Sequence, residues 1–237
     1  MEERGFAHCA ASGGGLLVLL RHGESSLNAA GRFSGWADCP LTEKGVRQAH
    51  DAGRRLREAG VGFDACFTSV LSRAVETASI VLGELGALSI PVTRTWRLNE
   101  RHYGSLEGTL KNDAVVRYGA DQVEAWRNGA DAVPPPLSRD DPRHPRYKAV
   151  YRGVEPDFLP ASECLRDAFR RVTDLFEEEI RPLVESGGRV LVVSHGNPVR
   201  ALVARLCGLP DGEIPIIGIR NATPIKWIVE SGEWRET

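Results

Sequence analysis

Two short stretches, Arg21-His22-Gly23-Glu24 and Ser194-His195-Gly196-Asn197, each place a histidine and a glycine directly after an aliphatic run, Leu16 to Leu20 and Val190 to Val193. Imidazole changes charge near neutral pH, so paired histidines suit nucleophilic attack and proton transfer. A lone histidine after a strand is usually structural. Two in matching contexts, one of them flanked by Arg21 and Glu24, point to one shared site. Further polar groups fall at similar points: Arg73 in "FTSVLSRAVETA", and Glu100, Arg101 and His102 in "RLNERHYG". Guanidinium forks match phosphate oxygens, and several converging on one place imply an anion with more than one oxygen to hold. Gly23, Gly35 and Gly196 permit close backbone approach, which adds amide donors. There is no glycine-rich Walker loop, and no carboxylate cluster suits magnesium. The chemistry expected is that of a phosphate site built from arginine and histidine without metal.

These residues need elements that bring them together. The runs at 16–20 and 190–193 read as strands buried on both faces, and equivalent placement after parallel strands would bring His22 and His195 side by side. Val46, Ala49, Gly53 and Leu56 mark a helix from Thr42, its cap, to about residue 59. "FDACFTS" at 63–69 reads as a second strand. Ala74, Ala78, Val81, Leu82 and Leu85 mark a second helix, followed by a strand around 91–95. Strands alternating with helices in this way indicate parallel βαβ units and an α/β fold. Seven prolines between 134 and 160 exclude long elements from 128–161, which reads as a loop packed on the body or a lid over it. Phe169, Val172, Phe176 and Ile180 share a helical face within 162–184. A strand at 189–193, a helix at about 197–207 and apolar segments near 214–219 and 224–229 complete the sheet.

The 237 residues, 42% hydrophobic and 26% charged, suit one domain over 15–237, with 1–14 as a flexible leader. Aliphatic runs of five or six residues fall far short of the roughly 18 that would suggest a membrane span, and no secretion signal is present. A cytoplasmic protein is expected. Five scattered cysteines without Cys-x-x-Cys read as reduced thiols. A net charge of −2 gives no general attraction to nucleic acid or membrane. Only Lys44, Lys111, Lys148 and Lys226 are lysine among 30 cationic residues, so arginines are weighed by position rather than by number.

In order along the chain, "RHGESSLNAAGRFSGWADCPLTEKG", "FTSVLSRAVETA", "RLNERHYGSLEG", "AWRNGADAVPPP" and "SHGNPVRAL" resemble the motifs of the 2,3-bisphosphoglycerate-dependent phosphoglycerate mutases of the histidine phosphatase superfamily. The resemblance runs from about residue 16 to 229. It implies a three-layer αβα fold with a mostly parallel central sheet, and interconversion of 3-phosphoglycerate and 2-phosphoglycerate in glycolysis and gluconeogenesis, primed by 2,3-bisphosphoglycerate. By the same resemblance His22 is the nucleophile that becomes phosphohistidine. Arg21, Arg73 and His195 surround the transferring group, and Glu100 exchanges a proton with the departing hydroxyl. Ser25, Asn28, Ser34, Gly35, Arg101, Tyr103, Lys111, Arg127, Asn128, Gly196 and Asn197 map onto ligand-holding positions. Trp36 and Trp126 are left to the core. Homodimers or homotetramers are common in the family.

The chain departs from the pattern in places. Asn128 follows Arg127 where two consecutive arginines are typical, and loss of one charged fork weakens binding by about 1–3 kcal/mol. Pro198 replaces a small polar residue, and "IRNATPIKW" replaces a Pro-Thr-Gly-x-Pro pattern. Ending at Thr237 without a longer tail implies a more open site and leakage of phosphohistidine to water. The competing expectations are a phosphatase with water as acceptor, a bisphosphoglycerate mutase, and a catalytically silent phosphate-binding protein on the same scaffold. A nucleotide-binding Rossmann protein is weaker still, since residues 21–28 lack Gly-x-Gly-x-x-Gly.

Overall fold

In the computed structural model, which describes residues 14–210 and 217–237, the two aliphatic runs are neighbouring central strands. β1 (Gly15–Arg21) pairs in parallel with a strand at Arg189–Ser194, the fourth along the chain, in a register that sets Arg21 opposite Ser194. Between these two strands in sequence come α1 (Ser26–Ala29), α2 (Glu43–Glu58), β2 (Ala65–Thr68), α3 (Ser72–Glu84), β3 (Val92–Arg94), α4 (Lys111–Tyr118), α5 (Ala120–Asn128), α6 (Leu165–Leu175) and α7 (Arg181–Glu185). The Arg189–Ser194 strand is therefore β4. It is followed by α8 (Gly196–Leu206), β5 (Ile225–Glu230) and β6 (Glu233–Glu236). One sheet runs in the order β3-β2-β4-β1-β5-β6, with β1 to β4 parallel, β5 antiparallel to β1 and β6 antiparallel to β5.

Alternate residues of a strand face opposite sides. Leu17 and Leu19 of β1, Phe67 of β2 and Val190 and Val192 of β4 face one layer, where they meet Val172, Leu175, Val184, Val199 and Leu202 of α6, α7 and α8. Val18, Leu20, Cys66, Leu191 and Val193 face the other, against Ala52 and Leu56 of α2 and Ala78, Val81 and Leu82 of α3. The three-layer arrangement thus follows from strands that are apolar on both faces. The Thr42 hydroxyl accepts the Gly45 amide at 3.0 Å and caps α2 as the sequence implies. A π-helical turn at Phe176–Ile180 joins α6 to α7, just before Pro182 removes a ladder donor. Among the described residues no helix is long and apolar enough to cross a membrane.

Two expectations are corrected. α4 and α5 are absent from the periodic reading because each is short and they are split at Gly119, whose φ of 85° favours glycine. Their apolar residues Ala114, Val123 and Trp126 close over Phe33 and Leu106 in a separate small cluster. The apolar segment near 214–219 forms no strand at 217–219, and the remainder lies outside the described residues. The sheet ends instead with β6, antiparallel to β5. Residues 1–13 of the expected leader also lie outside the described residues. The proline-rich excursion does pack on the body: Tyr151 and Leu159 are buried with Trp36, and the Tyr151 hydroxyl accepts from Asn99 at 2.9 Å.

Leu19 and Leu20 are both fully buried, in opposite layers. Leu19→Ala and Leu20→Ala should each lower the free energy of unfolding by about 2–5 kcal/mol in urea titrations. A loss below about 1 kcal/mol for either would contradict burial on both faces of β1.

Candidate active site

Because Arg21 lies opposite Ser194, the next residue of each strand, His22 and His195, emerges at the same edge of the sheet. The His22 amide donates to the Ser194 carbonyl at 2.9 Å, and the two imidazoles stand edge to face with centroids 4.9 Å apart. Nδ1 of His22 lies 2.5 Å from the carbonyl oxygen of Gly23, an acceptor that fixes the proton on Nδ1 and leaves Nε2 as the ring's acceptor, which takes the Arg73 Nε–H. Arg73, wholly buried in the first turn of α3, places its Nε 3.3 Å from that Nε2. Burial, then the charges of Arg73 and Arg21, hold the His22 pKa well below 6.5, so the ring is neutral at pH 7. His195 is held down by the same causes, burial first. Its Nε2 is 2.8 Å from the Ser69 hydroxyl, which also accepts the Leu71 amide. Its Nδ1 is buried with no hydrogen-bond partner among the described residues. A Ser69 hydroxyl that donates to Nε2 leaves Nδ1–H as a donor toward the site.

The guanidinium groups are anchored on backbone carbonyls. Arg73 donates to Gly35 at 2.7 Å and Ala37 at 3.1 Å, Arg21 to Ile219 at 2.7 Å, and Arg101 to Arg127 at 3.0 Å. Among the described residues none of the three forms an ion pair with a carboxylate within 4.0 Å. Arg21 Nε and Arg101 Nε and Nη1 are buried without partners among the described residues. Buried orphan donors are uncommon and call for an explanation. Several together, all donors, on positively charged groups, suit an anion.

Glu100 is held from behind. Its carbonyl accepts Trp36 Nε1 at 2.5 Å and Arg171 Nη2 at 2.9 Å, while Arg171 also grips the carbonyls of Arg97 and Asn99 and pairs with buried Glu163 at 2.6 Å. The Glu100 Oε1 accepts the Arg101 amide and Asn197 Nδ2, both at 2.8 Å. Oε2 faces Gly196, where an added Cβ would stand 3.6 Å away. Glu107 lies beneath the 34–36 loop. Its Oε1 accepts the Trp36 amide at 2.7 Å and the Tyr103 amide at 3.1 Å, and a Cβ on Gly35, at φ 50°, would strike that oxygen. Burial pushes the Glu107 carboxyl up to about 8, which leaves it protonated and uncharged at pH 7. His102, 3.3 Å from it, is drawn down to about 3 by burial, so their contact joins neutral groups rather than an ion pair.

The remaining expected positions divide. Tyr103 lies under the Arg101 guanidinium at 4.5 Å. Lys111 is half-buried and senses the charges of Arg127 and Arg21. Ser25 caps α1: its hydroxyl accepts the Asn28 amide, and the Asn28 side chain donates to Ser34. Arg127 and Asn128 lean on exposed Glu124, at 3.7 Å and 2.5 Å. The expected amide donor at Gly23 is already taken by Thr77 at 3.1 Å, and a Cβ there would meet the Gly45 carbonyl at 2.3 Å. That glycine serves close contact with α2. Glu24 turns to Lys44 and Thr42, away from His22. Sequence reading missed Ser69, Thr77, Glu107, Arg171 and Asn221, whose Nδ2 donates to the His22 carbonyl at 2.7 Å. The departure at "IRNATPIKW" was the available signal for Asn221; for the others, residue type and spacing carried none.

Histidines, arginines and the Glu100 carboxyl gathered at the carboxyl ends of parallel strands suit a phosphoryl-handling site, and the chain belongs to branch 1 of the histidine phosphatase superfamily, whose sequence model matches residues 17–237. Within that superfamily it is 46% identical over 214 residues to the 2,3-bisphosphoglycerate-dependent phosphoglycerate mutase of Nitratidesulfovibrio vulgaris (strain Miyazaki F), across 90% of this chain and 86% of that protein. Among solved structures, a putative alpha-ribazole-5'-P phosphatase from Escherichia coli K-12 matches with a TM-score of 0.72 at 26% identity, covering 94% of this chain and 95% of that one. Phosphoglycerate mutase from Bacillus anthracis (Sterne) matches with a TM-score of 0.69 at 25% identity, covering 95% and 92%.

The Glu107 proton has a measurable consequence. Between pH 4.5 and about 8 the folded chain keeps a proton that the unfolded chain releases, so this group favours folding least above pH 8. Glu107→Gln should therefore gain stability relative to the wild type as pH rises through that window, and gain no more beyond it. A difference independent of pH in urea unfolding would contradict the protonated state.

Proposed function

We propose that this enzyme interconverts 3-phosphoglycerate and 2-phosphoglycerate through a phosphohistidine on His22, primed by 2,3-bisphosphoglycerate. The observation that carries the reading is the buried His22 ring, with Nδ1 against the Gly23 carbonyl and Nε2 accepting from Arg73, in surroundings that hold its pKa down. The 46% identity to a mutase supports the choice of substrate.

In this reading Nε2 attacks phosphorus as the bond from phosphorus to the departing hydroxyl oxygen breaks, and Glu100 gives that oxygen a proton. Arg21, Arg73 and His195 hold the oxygens on which charge collects in the transition state. On the loaded enzyme Glu100 takes a proton from the free hydroxyl of 3-phosphoglycerate as that oxygen attacks the phosphohistidine; once the ligand has turned round, Nε2 takes its other phosphoryl group in the step just described, which releases 2-phosphoglycerate and restores the phosphohistidine. The orphan donors on Arg21, Arg101 and His195 fit a ligand with two anionic phosphates. They would hold 2,3-bisphosphoglycerate together with Lys111, Arg127 and Tyr103, with Ser25, Asn28, Ser34, Gly35, Gly196, Asn197 and Asn128 around it. When bound it supplies the phosphoryl group that loads His22 before the first turnover. The enzyme would act in the cytoplasm.

The test is a coupled assay of 3-phosphoglycerate conversion with and without 2,3-bisphosphoglycerate, run beside measurement of released phosphate. The expected outcome is stimulated formation of 2-phosphoglycerate, with acid-labile labelling of the protein that His22→Ala abolishes. Release of phosphate without isomerisation would replace the mutase by a phosphatase. Labelling that persists in His22→Ala would remove His22 as nucleophile.

A further inference from the structure

A phosphoryl site alone does not orient a substrate with a second anionic group; the far end must be held for either hydroxyl to meet His22. Asn128 is a poor candidate for that task, since its amide is bonded to Glu124 at the solvent-facing end of α5. Arg127 beside it, 44% exposed, is drawn to the same Glu124.

α8 offers another cation. Arg200 lies four residues after Gly196 and three after Asn197, so the three positions share a helix face. That face looks into the site: Asn197 donates to Glu100, and a Cβ on Gly196 would come within 3.9 Å of the Arg21 guanidinium. Arg200 is half-buried; burial above all lowers its pKa, and Glu100, Tyr103 and Arg101 are close enough to act on it as well. Its Nε is buried without a hydrogen-bond partner among the described residues, like Nε and Nη1 of fully buried Arg101. Two guanidinium groups with orphan donors, Arg101 over the Tyr103 ring and Arg200 within electrostatic reach of that residue and of Arg21, offer an anion-binding place beside the one at His22.

We infer that Arg200, with Arg101, holds the carboxylate or non-transferring phosphate of the substrate and supplies the charge that Asn128 lacks. The inference rests on the mutase reading for its choice of ligand, but not on turnover. Bidentate charge-assisted recognition of this kind depends on the planar fork, so lysine replaces it only in part.

The experiment titrates 3-phosphoglycerate and orthovanadate, which has no second anionic group, into the unphosphorylated full-length protein by calorimetry. Arg200→Gln should bind 3-phosphoglycerate at least tenfold more weakly and orthovanadate within twofold of the wild type. Equal weakening of both, or unchanged binding of 3-phosphoglycerate, would overturn the assignment. If Arg200→Gln fails to fold, Arg200→Lys decides: binding of 3-phosphoglycerate weakened about threefold or more, with orthovanadate unchanged, supports it, and no change refutes it. Wild-type mutase activity is assayed on the same preparation. Its absence beside a preserved contrast between ligands would refute the mutase reading while leaving Arg200 in place.

Discussion

The His22 ring stands with Nδ1 2.5 Å from the Gly23 carbonyl and Nε2 3.3 Å from a guanidinium nitrogen, out of contact with water. A charged imidazole there would face Arg73 and Arg21 without solvent, so the ring stays neutral, and a neutral ring is what attack on phosphorus requires. The surrounding structure serves that constraint. Thr77 fixes the Gly23 amide, Asn221 fixes the His22 carbonyl, and β4 fixes the His22 amide, so the main chain on both sides of the ring is pinned by three partners from different elements.

The same region keeps its positive charge uncancelled. Arg21, Arg73 and Arg101 are tied to carbonyl oxygens rather than to carboxylates, which satisfies some of their donors without neutralising them. Glu107, close enough to Arg73 to feel its charge, is protonated at neutral pH, so it shapes the 34–36 loop and adds no negative charge. Where a buried arginine serves structure instead, it is paired: Arg171 meets Glu163 and together they clamp the segment that carries Glu100. The contrast separates arginines that build the fold from arginines left free to meet an anion.

Much of this was legible in the sequence because the site sits at the ends of its most hydrophobic strands. Leu16 to Leu20 and Val190 to Val193 announce themselves by composition, and parallel pairing then brings His22 to His195. The helix capped by Thr42 and the one around Ala78 were readable from their apolar spacing. α4 and α5 were not, since helices of eight and nine residues split by Gly119 show too few turns for a period to emerge. Trp36 was assigned to packing, which is half of its role; its indole also donates to Glu100, and no pattern in one dimension reports a bond across 64 positions. Gly23 was given the wrong reason, because a glycine needed for contact with α2 looks the same in sequence as one that admits a ligand.

Phosphoryl transfer at this site depends most on the state of one ring. Nitrogen chemical shifts of the histidines, with the His22 signals assigned by their loss in His22→Gln, report both charge and tautomer across a pH titration. A neutral ring carrying its proton on Nδ1, unchanged from pH 8 down to pH 6, is the expected result. A ring that takes up its second proton at or above pH 6.5, or one that carries its single proton on Nε2, would contradict the arrangement described for His22.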